Sequence, residues 1–302
     1  MLALDTLQVK QGTLEPRRPF SFERTLDFVG SFSPAMGEQQ VGPGSLTKAV
    51  LINEKPVVFR VDAGDEPGES LHYRVFSREP LTPDEEAAAV DRVRFYLSLD
   101  DDLEPFYSIA EGDPPMRRVV EQLHGFHQVK FLTPFENACW AVLTQRTPIP
   151  VARGMKRRLV EAYGGSLTLE DTTYWAFPEP GPLARSGQDE ISRVIGHEQK
   201  ADNLHNVARA FDSVDEQWLR TGDYNEVAAW LRGIKGFGEW STSFVLARGL
   251  GRTETIQPDE KHLLAAASKA YGQPLTPTSL AALAAPYAGW QGHWALYLRT
   301  QA

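Results

Sequence analysis

The chain has 302 residues, 42% of them hydrophobic, enough for two or three compact lobes. Its single cysteine, Cys139, excludes a disulfide framework and a four-cysteine metal or iron–sulfur site, and no apolar run approaches the ~18 residues of a membrane-spanning helix. The net charge of −9 argues against a strongly basic nucleic-acid binder, but residues 1–112 hold 20 of the 40 acidic side chains and 11 of the 31 basic ones, so the remainder is balanced.

Residues 1–112 read as a separate α+β unit. The opening MLALDTLQVKQ lacks a basic n-region and a long apolar stretch, so a cytosolic protein without a signal peptide is expected. A short helix is expected over Phe20–Phe32. Ala49–Ile52 and Val57–Val61 flank the turn residues Asn53-Glu54-Lys55-Pro56, a hairpin signal, and Ser70–Ser77 alternates as a third strand. Residues 62–70 are a loop by composition. Pro83-Asp84-Glu85-Glu86 opens a helix. Asp100-Asp101-Asp102 reads as a solvated loop or cap, and no metal site is expected there.

From Asp113 almost everything reads as helix. Met116–Leu123 is one, and Thr133–Thr144 another, with Thr133 as N-cap, Pro134 at N1 and Glu136 at N3. Cys139 lies in its apolar run and reads as a buried, inert thiol. After an irregular break at 145–150, Val151–Tyr163 resumes a helix. Its cations Lys156, Arg157 and Arg158 splay around the axis and read chiefly as a solvated face. Residues 168–176 and 187–195 carry no clear pattern. His197 reads as a cap before a helix reaching Phe211. Lys200 and Ala201, three and four residues on, are not ligands, so a helical zinc site is not expected.

The stretch 224–272 is the most informative. Val227, Trp230 and Leu231 recur at helical spacing, Gly233-Ile234-Lys235-Gly236-Phe237-Gly238 forms a turn, and Phe244, Val245 and Leu246 lie on a second apolar run. Three glycines in six residues permit positive φ and bring bare backbone to the surface. The following helix begins with unsatisfied N–H groups, an anion site to which Lys235 adds a charge. That combination holds a DNA phosphate without reading sequence. An ordinary helical hairpin is the plain alternative. Pro258-Asp259-Glu260 then opens a further helix, also readable as a simple cap.

Ile234-x-Gly236-Phe237-Gly238-x-Trp240, followed by Pro258-Asp259-Glu260, resembles the helix-hairpin-helix DNA glycosylase superfamily, in particular its 3-methyladenine DNA glycosylase II type. There the hairpin reads I-P-G-I-G-x-W-T-A and the catalytic carboxylate is the second acid of a P-D-D triplet. The resemblance therefore implies Glu260 as the catalytic carboxylate, with Asp259 as second choice, and a glutamate where the family has aspartate. It implies DNA contacts from Lys235, Gly236, Phe237, Gly238, Gln145 and Arg146. Arg146 stands where the family can place a wedge, and reads equally as a surface arginine. It implies a base pocket of Trp240, Phe244, Trp290 and Arg299. Trp240 and Phe244, one turn apart, read equally as core residues. Gln291 replaces a family arginine, and Arg299 stands in place of a closing aromatic.

Bifunctional relatives, of the endonuclease III and oxoguanine glycosylase types, carry a Schiff-base lysine two residues after the hairpin's last glycine. Here that residue is Trp240, which implies a monofunctional enzyme using water. The expected fold is mainly α: a two-lobe helical glycosylase module at 113–302, its helix-hairpin-helix at 224–250, behind an α+β N-terminal domain at 1–112 with a small antiparallel sheet. The expected activity is removal of alkylated, 3-methyladenine-like purines from double-stranded DNA by base flipping. No cofactor, metal or membrane is implied, and a monomer associated with the nucleoid is expected. The alternatives are a catalytically weak, lesion-sensing paralogue and a helical scaffold for protein partners.

Overall fold

Alternation in the N-terminal third builds an antiparallel sheet whose central strands are buried on both faces. The computed structural model describes residues 7–65 and 70–301; residues 1–6, part of the leader reading, and 66–69, part of the expected loop, lie outside them. The strands are β1 Gln8–Leu14, β2 Gln39–Gly42, β3 Ser45–Ile52, β4 Lys55–Ala63 and β5 Leu71–Ser77, in the order β1-β5-β4-β3-β2. The β3–β4 turn is tighter than expected. Ile52 pairs with Lys55, and Asn53 and Glu54 alone turn the chain at φ 52° and 63°. On one face Leu46, Val50, Ile52, Val57, Phe59 and Val61 meet helices Phe22–Ser31 and Pro83–Leu97.

The other face holds Ala49, Leu51, Val58 and Phe76, and a second hairpin covers it. Its strands are β6 Gly165–Leu169 and β7 Thr172–Ala176, turning at Glu170 and Asp171 with φ 50° and 64°. This corrects the largely helical reading after Asp113. Leu167, Leu169, Tyr174 and Ala176 alternate with polar residues at period two, and they bury against the back of the sheet.

Two helical clusters complete the molecule. Helix Pro134–Thr144 lies at the centre of one, buried from Pro134 to Leu143, as its all-round apolar sequence requires. Thr133 caps it by accepting from the Glu136 N–H, but Glu136 does not reach back to complete a box. Its carboxylate turns inward to Lys156 Nζ at 2.6 Å, and Glu38 joins at 2.7 Å. Lys156 is therefore a buried, paired cation and not part of a solvated face. It sits on the same stripe of helix Ile149–Tyr163 as Ala152, Met155 and Leu159, which is why it turns inward. Arg158 donates to the Val194 and Ile195 carbonyls. In the second cluster, helices Glu104–Ala110 and Pro114–Gln122 pack against Lys261–Tyr271 and Gln291–Thr300 around Phe106, Tyr287, Trp294 and Tyr297.

Candidate active site

The hairpin belongs to the first of these clusters, to which it gives Val227, Leu231, Ile234 and Val245. Helix Tyr224–Gly233, capped by Asp223, buries Val227, Ala228 and Leu231. Of the turn's glycines only Gly236 takes positive φ, 97°. A Cβ there would come within 2.4 Å of Asn203 Cγ, so φ and space both exclude a side chain. Gly238 is extended (φ −116°), and a Cβ there would meet nothing within 4 Å. Its surroundings are open to solvent, and helix Glu239–Phe244 begins at the next residue.

Two buried polar links set the hairpin's position. Gln145 Nε2 donates to the Gly236 carbonyl (2.9 Å) and to Ser241 Oγ (3.1 Å). Lys200 Nζ donates to the carbonyls of Val142 (2.8 Å) and Gln145 (2.9 Å), closing the end of the central helix. Gln145 is thus a bracket for the turn. Arg146 beside it is exposed at φ 51°, presented outward by the left-handed backbone. Lys235 is exposed and pairs with Asp202 at 2.7 Å. Phe237 packs partly into the core cluster beneath.

After the hairpin, Trp240 and Phe244 stack nearly parallel, with centroids 5.1 Å apart at 8°, and Trp240 remains 48% exposed. Phe244 meets Phe131 edge-on at 5.9 Å, Phe131 meets Phe32 at 5.2 Å, and Phe32 stacks on Phe28 at 5.8 Å. An aromatic row therefore joins the hairpin helix to helix Phe22–Ser31. Beyond Phe244 the helix widens into a π-helix at Val245–Leu250, a device often found at functional sites. Neighbouring backbone and side chains satisfy carbonyls within it: Gln128 Nε2 bonds Ala247, and the Phe131 N–H bonds Arg248 at 2.8 Å. This turn aims Arg248 at the rings of Phe28 (5.0 Å) and Phe32 (5.3 Å).

Glu260 is the N-cap of Lys261–Tyr271. Oε1 accepts from the His262 N–H at 2.7 Å, and Oε2 from the Leu263 N–H at 2.9 Å. Arg299 Nη1 also donates to Oε2 at 3.0 Å. Helix dipole, amides and cation all present positive charge to the carboxylate oxygens. Asp259 is exposed and makes no hydrogen bond or ion pair among the described residues. Gln257 ties the loop before Glu260 to the hairpin helix through Ser243 Oγ at 2.9 Å. Burial first, then the charge of Arg299, push the Arg248 guanidinium down to about 10, so Arg248 remains a cation at neutral pH, within electrostatic reach of Arg299.

Trp290 is not brought to this place. It stacks on Phe106 at 6.2 Å and meets His293 at 5.2 Å, within the second helical cluster. It stands nine residues before Arg299 at the other end of the closing helix, about 13 Å at 1.5 Å per residue. Phe28, Phe32, Phe131 and Arg248 join the site or its support without having been singled out in the sequence, and Lys200, read only as a non-ligand after the His197 cap, proves to support the turn. An i,i+4 phenylalanine pair on an amphipathic helix carries no mark distinguishing it from core. Two clefts, about 390 and 600 Å³, lie along the sheet and its helices, and neither contains a hairpin residue or Glu260. The smaller cleft has Glu179 and Glu216 at helix starts beside Phe135, Phe177 and Phe211, but Glu216 is paired with Arg92 and Arg220, and Glu179 accepts from the Glu54 amide. Among the described residues no cluster of His, Cys, Asp or Glu could hold a metal ion.

No family model matches the chain. The DNA-3-methyladenine glycosylase of Bacillus subtilis (strain 168) is 25% identical over 258 residues, 84% of this chain and 81% of that protein. Among solved structures, the 3-methyladenine DNA-glycosylase from Archaeoglobus fulgidus superposes with a TM-score of 0.78 at 18% identity, over 96% of this chain and 97% of that one. The fold is that of the helix-hairpin-helix DNA glycosylases. The same glycosylase fold is seen in the Clostridium acetobutylicum 8-oxoguanine glycosylase/lyase, with a TM-score of 0.66 at 15% identity over 98% of each chain. The resemblance read from the hairpin and its downstream carboxylate thus extends along nearly the whole chain, sheet included.

Proposed function

We propose that the chain is a monofunctional DNA glycosylase that removes alkylated purines from double-stranded DNA. The observation that carries this is the Glu260 carboxylate, fixed at a helix mouth by two amides and Arg299, beside the hairpin and its exposed Trp240–Phe244 stack. The open amides after Gly238 and the exposed Lys235 would hold a phosphate, with Arg146 presented where a wedge would enter the duplex.

The C1′–N bond breaks with its electron pair leaving on the base. Glu260 stabilises the oxocarbenium-like sugar. A water oxygen bonds to C1′ and gives its proton to the carboxylate or to solvent. The product is an abasic site. Trp240, where bifunctional relatives place an amine, offers none for a Schiff base. The named activity of the Bacillus subtilis relative supports this reading, as does the likeness to a fold whose solved members include a complex with double-stranded DNA.

A duplex with one alkylated purine should yield strand breaks only after alkali, and Glu260→Gln should slow their formation about 10²–10³-fold. Cleavage without alkali, or a borohydride-trapped adduct, would overturn the monofunctional mechanism. A second reading, a lesion-sensing paralogue, is favoured by one observation: a glutamate replaces the family's aspartate and both its oxygens are already engaged. Tight lesion binding with no abasic product would establish it.

A further inference from the structure

Arg248 is half-buried, and its guanidinium makes no hydrogen bond or ion pair with any described residue. Five N–H donors are thus left without a protein acceptor. Its neighbours are the faces of Phe28 and Phe32, the Tyr96 hydroxyl and the Arg299 cation. Arg299 is neutralised by Glu260. On the other side of the wide turn Lys130, buried and bonded to Ser98 and the Phe95 carbonyl, has Asp101 at 3.8 Å as its counter-charge. The uncompensated charge at the inner end of the aromatic row is therefore that of Arg248.

We infer that Arg248 sets the base specificity, disfavouring a positively charged purine and favouring a neutral one with a hydrogen-bond acceptor on its edge. The inference rests on the glycosylase reading above. Two planes of chemistry meet here. The Trp240 and Phe244 faces and the Phe28–Phe32 pair accept any flat base. The guanidinium then discriminates, because its donors need an acceptor and its charge, half-buried against aromatic rings, repels a cation. A base with a formal positive charge, such as 7-methylguanine, meets a like charge and, with N7 blocked, offers O6 alone to the donors. A neutral alkylated base such as 1,N6-ethenoadenine, whose exocyclic nitrogen is a ring acceptor, meets neither penalty.

The test measures excision from two duplexes, one with a single 7-methylguanine and one with a single 1,N6-ethenoadenine, each expressed relative to spontaneous loss from the same duplex. The wild-type acceleration should be greater for the neutral base. Arg248→Met should move the neutral-to-cationic ratio about tenfold or more toward the cation, and Arg248→Lys, which keeps the charge, should retain most of the wild-type preference against the cation. A ratio unmoved in a folded Arg248→Met variant overturns the inference. So does a wild type that accelerates loss of the cationic base more, a result independent of whether any variant folds. Excision of neither base, nor of any alkylated purine, would instead sink the glycosylase reading itself.

Discussion

Glu260 has two roles at once, and they separate by mutation. As a cap it satisfies two amide donors at the start of Lys261–Tyr271; as a carboxylate it is the group proposed to face the sugar. Glu260→Gln keeps an acceptor oxygen, so denaturation should show a loss of about 1 kcal/mol, the size of a cap, while excision falls about 10²–10³-fold. Glu260→Asp, which restores the family residue, withdraws the carboxylate about 1 Å from Arg299 and should cost up to about 10²-fold in rate. A faster Glu260→Asp enzyme would mean that the site is not adapted to glutamate.

Lys156 and Glu136 make the other informative pair at this scale. Both are buried. Burial alone would raise the Glu136 pKa, but the charges of Lys156 and Lys48 outweigh it and hold it below the ordinary 4.5. Burial alone would lower Lys156, and Glu136 and Glu38 outweigh that to raise it above 10.5. The Glu136 contribution is therefore complete above about pH 4.5 and lost as pH falls through the depressed value; the Lys156 contribution is complete below 10.5 and lost above it. Lys156→Met strands a buried carboxylate and should cost about 3–5 kcal/mol in chemical denaturation. That stability deficit should shrink in acid, where Glu136 is protonated in both folded proteins.

Among the elements, the hairpin is the one whose geometry was legible from composition. Gly236 is needed because φ is 97° and Asn203 fills the space where a Cβ would go. Gly236→Ala should lose about 1–3 kcal/mol of stability and weaken binding to undamaged duplex DNA. Unchanged affinity would mean the turn does not touch phosphate. The β6–β7 hairpin was not legible: five-residue alternating segments give a weak signal, and the surface they cover belongs to strands near the start of the chain, Ser45–Ser77. The widened turn at Val245–Leu250 was equally hidden. Its register is set by Gln128 and Phe131 bonding its carbonyls, not by any residue pattern within it.

For the whole molecule, a net charge of −9 limits how the proposed DNA substrate would be held. The exposed Lys235 and Arg146 and the hairpin amides are few, so the slope of log K against log salt should be shallow, about −2 to −3 for two or three phosphates. A slope near zero would favour the protein-scaffold alternative. Local information sufficed wherever a feature depends on near neighbours. The glycine turn, the helix mouth at Glu260 and the absence of an amine at Trp240 follow from residue type and short spacing. Tertiary structure alone decided which distant groups meet: Arg299 on Glu260, Phe28 and Phe32 under Arg248, Lys156 turned inward to Glu136, and Trp290 drawn into the other cluster. Such contacts arise from the burial of whole faces against one another, and one chain's text carries the composition of a face but not the identity of the face that covers it.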